Sequence, residues 1–161
     1  MAQSKQKIIV VGNGMVGHKF IESLVTHEDA SQYSITTFSE EPRLAYDRVQ
    51  LSAYFSGSTV DDLMLTTPSY YDEHGVRYLV NEKVIGIDKD AKTITTSSGL
   101  VEPYDTLILA TGSFPFVPPI PGKDQDHCLV YRTIEDLEAI TASAAESEVG
   151  VVVGGGLLGL E

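Results

Sequence analysis

Two short glycine clusters carry the chemistry this sequence can be read for: Gly12-Asn13-Gly14-Met15-Val16-Gly17 and, about 140 residues later, Gly154-Gly155-Gly156-Leu157-Leu158-Gly159. Both have the spacing of a turn that cradles a dinucleotide. In such a turn the first glycine allows the tight bend, the second lets a pyrophosphate approach the backbone, and the third lets the following helix pack closely on a strand. Free N–H groups near Asn13 and Met15, at the start of that helix, would then bind phosphate. An acidic side chain some twenty residues on should accept hydrogen bonds from ribose hydroxyls, and both Glu40 and Glu41 fit. Arg43 and Arg48 stand where a cation reaches a diphosphate.

Other reactive constellations fail. His18, His27, His74 and His127 show no metal-ligand spacing, so no metal site is expected, and no serine lies in a nucleophile-elbow context. Gly122-Lys123 is followed by Asp124 and has no glycine five positions earlier, so it is not a phosphate loop of the Walker type. The one cysteine, Cys128, excludes a disulfide, a redox-active pair or a multi-cysteine cluster within residues 1–161. Electron handling here requires an organic cofactor.

Composition agrees with a soluble domain: 161 residues, 42% hydrophobic, and a net charge of −12. Such charge repels nucleic-acid backbones and anionic membranes, so a dinucleotide must be held by local N–H groups and individual cations. No apolar stretch is long enough to span a bilayer, and Met1 to Lys7 lacks a signal-peptide apolar region, which leads to an expected cytoplasmic location.

The elements that must position these residues are legible in outline. Lys7 to Val11 reads as a buried strand, Met15 to about Thr26 as a helix with Val16, Phe20, Leu24 and Val25 on one face, and Ser34 to Phe38 as a second strand. Strand, helix and strand together suit a parallel crossover. Pro42 to Pro68 lacks a period and reads as a long excursion with short helical turns. A short helix from Pro68 to His74 should stop at Gly75. Val76–Val80, Lys83–Asp88 and Thr93–Thr96 read as a small antiparallel meander, and Tyr104–Ala110 as a further apolar strand ending in Ala110-Thr111-Gly112. The four prolines between Phe114 and Gly122 rule out regular structure there. Thr133 should cap a helix running to about Ala145, and Val149–Val153 should be the strand that feeds the second glycine cluster.

Taken in order, the first glycine cluster, Glu40 to Arg48, Ala110 to Gly112, Pro118 to Gly122 and Gly154 to Glu161 resemble the FAD-dependent pyridine nucleotide oxidoreductases. The resemblance covers nearly the whole chain. Within that family, residues 11–20, 45–52 and 130–137 are similar to the branch of assimilatory NAD(P)H-dependent nitrite reductase large subunits. The fold this implies is α/β: a Rossmann-like FAD-binding domain over residues 1–122, with a parallel sheet, helices and a small antiparallel meander. Residues 123–161 would be a connecting helix and the first strand of an NAD(P)H-binding domain.

By the same resemblance, Gly12, Asn13, Gly14, Met15 and Gly17 bind FAD, and Gly154, Gly156 and Gly159 bind NAD(P)H. Val84 touches adenine through its backbone, Thr111, Gly112 and Arg132 approach FAD, and Glu161 approaches the flavin–nicotinamide contact in a catalytic role. Hydride would pass from NAD(P)H to FAD and single electrons onward to an iron–sulfur and siroheme centre that reduces nitrite to ammonium, with a small subunit as a possible partner. Those centres, and the family's later segment that completes the FAD domain, lie beyond these residues, so the expected isolated chain is inactive and its 149–153 strand unpartnered. Two departures narrow the activity. Leu51-Ser52 is followed by Ala53 where ferredoxin-reductase relatives often carry lysine, and the flavin-proximal cysteines of disulfide-active relatives are missing. An FAD-dependent rubredoxin or ferredoxin reductase is the alternative enzyme, and a nucleotide-binding module without turnover the alternative non-enzyme. The choice between NADH and NADPH and the oligomeric state stay open.

Overall fold

A computed structural model describes residues 4–160, which divide into two compact units. The first comprises the described residues of Met1–Asp47 with Met64–Gly112; the second comprises those of Arg48–Leu63 with Ser113–Glu161.

In the first unit, strand β1 (Gln6–Val11) leads through the glycine turn into helix α1 (Met15–Val25), and a single 3-10 turn at Ala30–Gln32 returns the chain to β2 (Tyr33–Phe38). The second unit then contributes a 3-10 turn at Leu51–Ser56 and helix α2 (Val60–Leu63). Back in the first unit follow α3 (Pro68–Glu73), β3 (Arg77–Leu79), β4 (Val84–Asp88), β5 (Thr93–Thr96), β6 (Val101–Pro103) and β7 (Thr106–Leu109). Four strands form a parallel sheet in the order β3-β2-β1-β7, with Ile8 opposite Ile35 on one side and Thr106 on the other. β4, β5 and β6 form a separate antiparallel sheet.

Period-two alternation along β1 decides what each face of the parallel sheet meets. Ile8 and Val10 point into a core with Ile21 of α1, Tyr71 of α3, Ile35, Leu44 and Val76. Ile9 and Val11 point the other way, into a core with Phe38 and with Ile94 of the antiparallel sheet. Both faces of β1 are therefore covered, as its unbroken apolar run requires.

Three expectations for the first unit need correction. The strand around Val76–Val80 does not open the meander: it is β3, paired parallel to β2 through Thr36 and Arg77. The meander's third strand is β6, which ends at Pro103; proline is tolerated there because β6 is an edge strand. Of the face expected on α1, Phe20, Leu24 and Val25 do pack against the first core, but Val16 is 73% exposed and the fully buried stripe runs through Gly17, His18 and Ile21. Gly17 sets that rotation, since it is the residue that must face the turn, and one position away on a helix is about 100° around the axis.

In the second unit, α4 (Ile134–Ala145) begins with a reciprocal cap: Thr133 Oγ1 accepts from the Asp136 N–H at 3.2 Å, and Asp136 Oδ2 accepts from the Thr133 N–H at 2.8 Å. Ile134 and Leu137 are fully buried, and the ring of Tyr131 stacks on Phe55 at 6.3 Å. Val149, Val151, Val152 and Val153 form no strand; each is 70% or more exposed. An apolar run becomes a strand only by pairing, and the described residues supply no partner ladder for it. The last element is α5 (Leu157–Leu160). No helix among the described residues is long and apolar enough to cross a membrane.

Candidate dinucleotide site

The first glycine turn sits at the carboxyl end of β1, between β2 and β7. Gly12 N–H donates to the Phe38 carbonyl at 2.9 Å and Ala110 N–H donates to the Val11 carbonyl at 2.8 Å, so both neighbouring strands grip the turn. Chain order reverses here: β2 and β3 lie to one side of β1, and β7 lies to the other. Open parallel sheets bind ligands at such a switch point, beyond the carboxyl ends of the strands.

Glycine is required at two of the three motif positions by the protein itself. At Gly12, φ is +102°, and an added Cβ would lie 2.7 Å from the Ala110 carbonyl carbon. At Gly17 an added Cβ would collide with the Gly12 carbonyl oxygen. Gly14 is different, because a Cβ there meets nothing within 4 Å. The space over Gly14 is open to a ligand.

Helix α1 starts at this opening without a side-chain cap and with no acidic residue in its first turn. Its first hydrogen bond runs from the His18 N–H to the Gly14 carbonyl at 2.9 Å, so the amides of Met15, Val16 and Gly17 precede the helical ladder. Uncapped amides at the positive end of an eleven-residue helix are anion donors.

Beneath the turn lies a buried polar chain. Tyr71 of α3 is fully buried, and its hydroxyl donates to Asn13 Oδ1 at 3.1 Å and sits 3.0 Å from His18 Nδ1. Thr67 caps α3 by accepting from the Tyr70 N–H at 3.2 Å. The helix closes where Gly75 takes a φ of +66° and Val76 N–H reaches back to the Tyr71 carbonyl at 2.9 Å. Burial pushes the Tyr71 hydroxyl up to about 12, partly offset by the Asn13 bond, and burial holds His18 below its ordinary 6.5. Both groups are neutral around pH 7.

The acidic pair separates. Glu40 is exposed and ion-paired with Lys83 at 2.8 Å. Glu41 is half-buried: its carboxylate accepts from the Tyr46 hydroxyl at 2.7 Å, its N–H donates to Ser39 Oγ at 3.2 Å, and its carbonyl accepts from the Asn81 N–H at 3.0 Å. Val84 opens β4 and packs partly buried against the cluster containing Phe38. Thr111 and Gly112 follow Ala110, the residue Gly12 abuts. Arg43 is half-buried in the same unit. The first unit thus collects Gly12, Asn13, Gly14, Met15, Gly17, Glu40, Glu41, Thr111 and Gly112 around the carboxyl ends of β1, β2 and β7, with Val84 at the start of β4.

Arg48 and Arg132 belong to the second unit, where Arg48 Nη1 donates to the Arg132 carbonyl at 3.0 Å. The second glycine turn is also there and repeats the geometry of the first. Gly154 has a φ of +122°, and an added Cβ at Gly159 would collide with the Gly154 carbonyl oxygen, as one at Gly17 would with that of Gly12. Gly156 precedes α5, and a Cβ on it would meet nothing within 4 Å. Glu161 lies outside the described residues.

Sequence reading missed the supporting cast: Tyr71 and His18 beneath the turn, Lys83 opposite Glu40, and Tyr46 on Glu41. One signal was available, since His18 directly follows the glycine that must face inward. His27, Glu28 and Asp29, at the exposed end of α1, bring their ligand atoms within 4.8 Å of one another. The Asp29 N–H donates to His27 Nδ1 at 3.2 Å, which occupies that ring nitrogen.

The chain is similar to known proteins. The chain is 54% identical to the nitrite reductase (NADH) large subunit of Escherichia coli over 98% of its length and 19% of that protein. It is 46% identical to the nitrite reductase [NAD(P)H] large subunit of Klebsiella oxytoca over the same share of the chain and 16% of that protein. The chain therefore spans under a fifth of the length of these relatives. Among solved structures, water-forming NADH oxidase from Lactobacillus brevis bound to NADH superposes with a TM-score of 0.87 at 25% identity, over 97% of the chain and 36% of that protein. The family model for pyridine nucleotide-disulphide oxidoreductases matches residues 6–161. The chain belongs to the pyridine nucleotide-disulphide oxidoreductase family.

Proposed function

We propose that the first unit is an FAD cradle and that the chain is the cofactor-holding part of an NAD(P)H-dependent flavin oxidoreductase. The observation that carries this reading is the open, uncapped start of α1 over Gly14, at the sheet's switch point. The amides of Met15, Val16 and Gly17 hold the pyrophosphate. Glu40 accepts from the adenosine ribose, because its carboxylate is exposed and its surface lysine is easily exchanged for a ligand, whereas Glu41 is fixed inward by Tyr46. Thr111 and Gly112 border the cofactor beside Gly12, the Val84 backbone borders adenine, and Arg43 of the same unit supplies local positive charge to a chain of net −12. The second glycine turn, Gly154 to Gly159, is the entrance to the NAD(P)H site, and Glu161 carries the catalytic role by likeness to the family.

Bound FAD supplies the redox chemistry, accepting hydride and releasing single electrons. The residues of this chain bind and orient it. By likeness to the nitrite reductase large subunits, the whole enzyme reduces nitrite to ammonium at an iron–sulfur and siroheme centre outside residues 1–161, in the cytoplasm and with a small subunit as possible partner. The chain alone binds flavin and does not turn over NAD(P)H.

Titration with FAD, ADP and riboflavin tests this. FAD and ADP should bind saturably, riboflavin at least tenfold more weakly, and NAD(P)H should not be consumed. Riboflavin binding as tightly as FAD would overturn the cradle, and steady NAD(P)H oxidation would overturn the claim that the chain alone is silent.

A further inference from the structure

We infer that Tyr71 is a positioning residue for the dinucleotide turn, acting with His18 through the carboxamide of Asn13; this rests on the FAD-cradle reading above. Asn13 is the residue between the first two motif glycines, so its backbone is part of the surface that meets the pyrophosphate. Its side chain points the other way, being only 6% exposed. There it meets a hydroxyl from an element distant in sequence, Tyr71 of α3.

This buried relay joins His18, Tyr71 and Asn13: the Tyr71 hydroxyl donates to Asn13 Oδ1 at 3.1 Å and stands 3.0 Å from His18 Nδ1. The Asn13 carboxamide is thereby held oxygen-first toward α3. Its Nδ2 is buried and makes no hydrogen bond.

The buried Asn13 side chain is held by its contact with the Tyr71 hydroxyl. Such an arrangement locks the turn from below at the residue where two glycines otherwise leave the backbone loose. Helix α3 makes a firm anchor for it, because the Thr67 cap and the Gly75 stop fix both ends of a six-residue helix whose buried face carries Tyr71.

The test is a double-mutant cycle on the whole chain with Tyr71→Phe, Asn13→Ala and the pair, reading the FAD dissociation constant, the thermal midpoint, and the backbone amide signals of Gly14 and Met15. Tyr71→Phe keeps the ring in its core and removes only the hydroxyl. It should weaken FAD about tenfold and shift both amide signals in the ligand-free protein, while riboflavin binding stays as it was. In the Asn13→Ala background, Tyr71→Phe should add less than about a twofold further loss. A fully additive loss overturns the proposal, because a merely structural tyrosine would act regardless of Asn13. Unchanged FAD affinity with a lowered thermal midpoint overturns it as well, and leaves the cradle standing. Should Tyr71→Phe not fold, His18→Gln carries the same comparison from the relay's other end. Absence of FAD binding by the unaltered chain overturns the cradle, and the proposal falls with it.

Discussion

Replacing Gly17 with alanine sets two calculable effects against each other. Gly17 lies in the first turn of α1, where alanine is a better helix former by about 1 kcal/mol. Propensity alone therefore says that the variant is more stable. The structure says otherwise: the new Cβ would collide with the Gly12 carbonyl oxygen and stand 3.1 Å from the Gly12 carbonyl carbon, with the Ala110 Cβ at 3.5 Å. Two of these three neighbours are backbone, and the turn that owns them is tied to Phe38 at 2.9 Å, so no rotamer change relieves the overlap. Overpacking costs about 1–3 kcal/mol, and against backbone atoms that cannot move aside the upper part of that range applies, about 2–3 kcal/mol, so Gly17→Ala should come out less stable by about 1–2 kcal/mol after the propensity gain. At about 2–4 °C per kcal/mol for a chain of this size, the midpoint should fall by roughly 2–8 °C. Gly14→Ala is the control, since φ there is −99° and the space is empty; its stability should change by less than about 0.5 kcal/mol. FAD affinity should show the reverse order of cause, with Gly14→Ala losing at least tenfold without a change in fold. Urea unfolding of both variants, followed by circular dichroism, decides the point. A Gly17→Ala protein as stable as the parent, or more so, refutes the close-packing argument.

Further outcomes follow from the same geometry. Thr133→Ala removes the cap of α4 and should cost about 1 kcal/mol, seen as faster hydrogen exchange in residues 134–137 with the first unit unaffected. Glu40→Gln should weaken FAD and ADP at nearly unchanged stability, because the Lys83 pair it breaks is exposed, whereas Glu41→Gln should loosen the Tyr46 contact and lower the midpoint; equal effects on FAD would contradict the assignment. Burial holds His18 below 6.5 in the folded chain, so the unfolded chain takes up a proton first as pH falls. The stability due to neutral His18 is full above pH 6.5 and is lost on descending from 6.5 to the depressed folded value; His18→Gln should flatten that part of a urea-midpoint profile against pH.

Local elements were legible wherever a residue's own chemistry dictated them. The β1 run, the Gly12–Gly17 turn, the Pro68 helix with its Gly75 stop and the Thr133 cap all depend on neighbours within a few positions. Elements defined by distant partners were not. β3 reads like any short strand, and only its pairing with β2 puts it in the parallel sheet. β6 hides behind Pro103 because edge position is a tertiary property. Val149–Val153 has a strand's composition and, among the described residues, no ladder to join. The candidate site divides the same way. The motif glycines announce themselves, but the bond from Tyr71 to Asn13 spans 58 positions and carries no local signature.

The central claim is that FAD binds over Gly14 at the start of α1, and backbone amide signals during an FAD titration of the isotopically labelled chain test it most directly. The amides of Gly14, Met15, Val16 and Gly17 should shift saturably with FAD and with ADP, and remain in place with riboflavin. Shifts confined to Gly154–Leu157, or no saturable shift anywhere in the Gly12–Gly17 turn, would contradict the account.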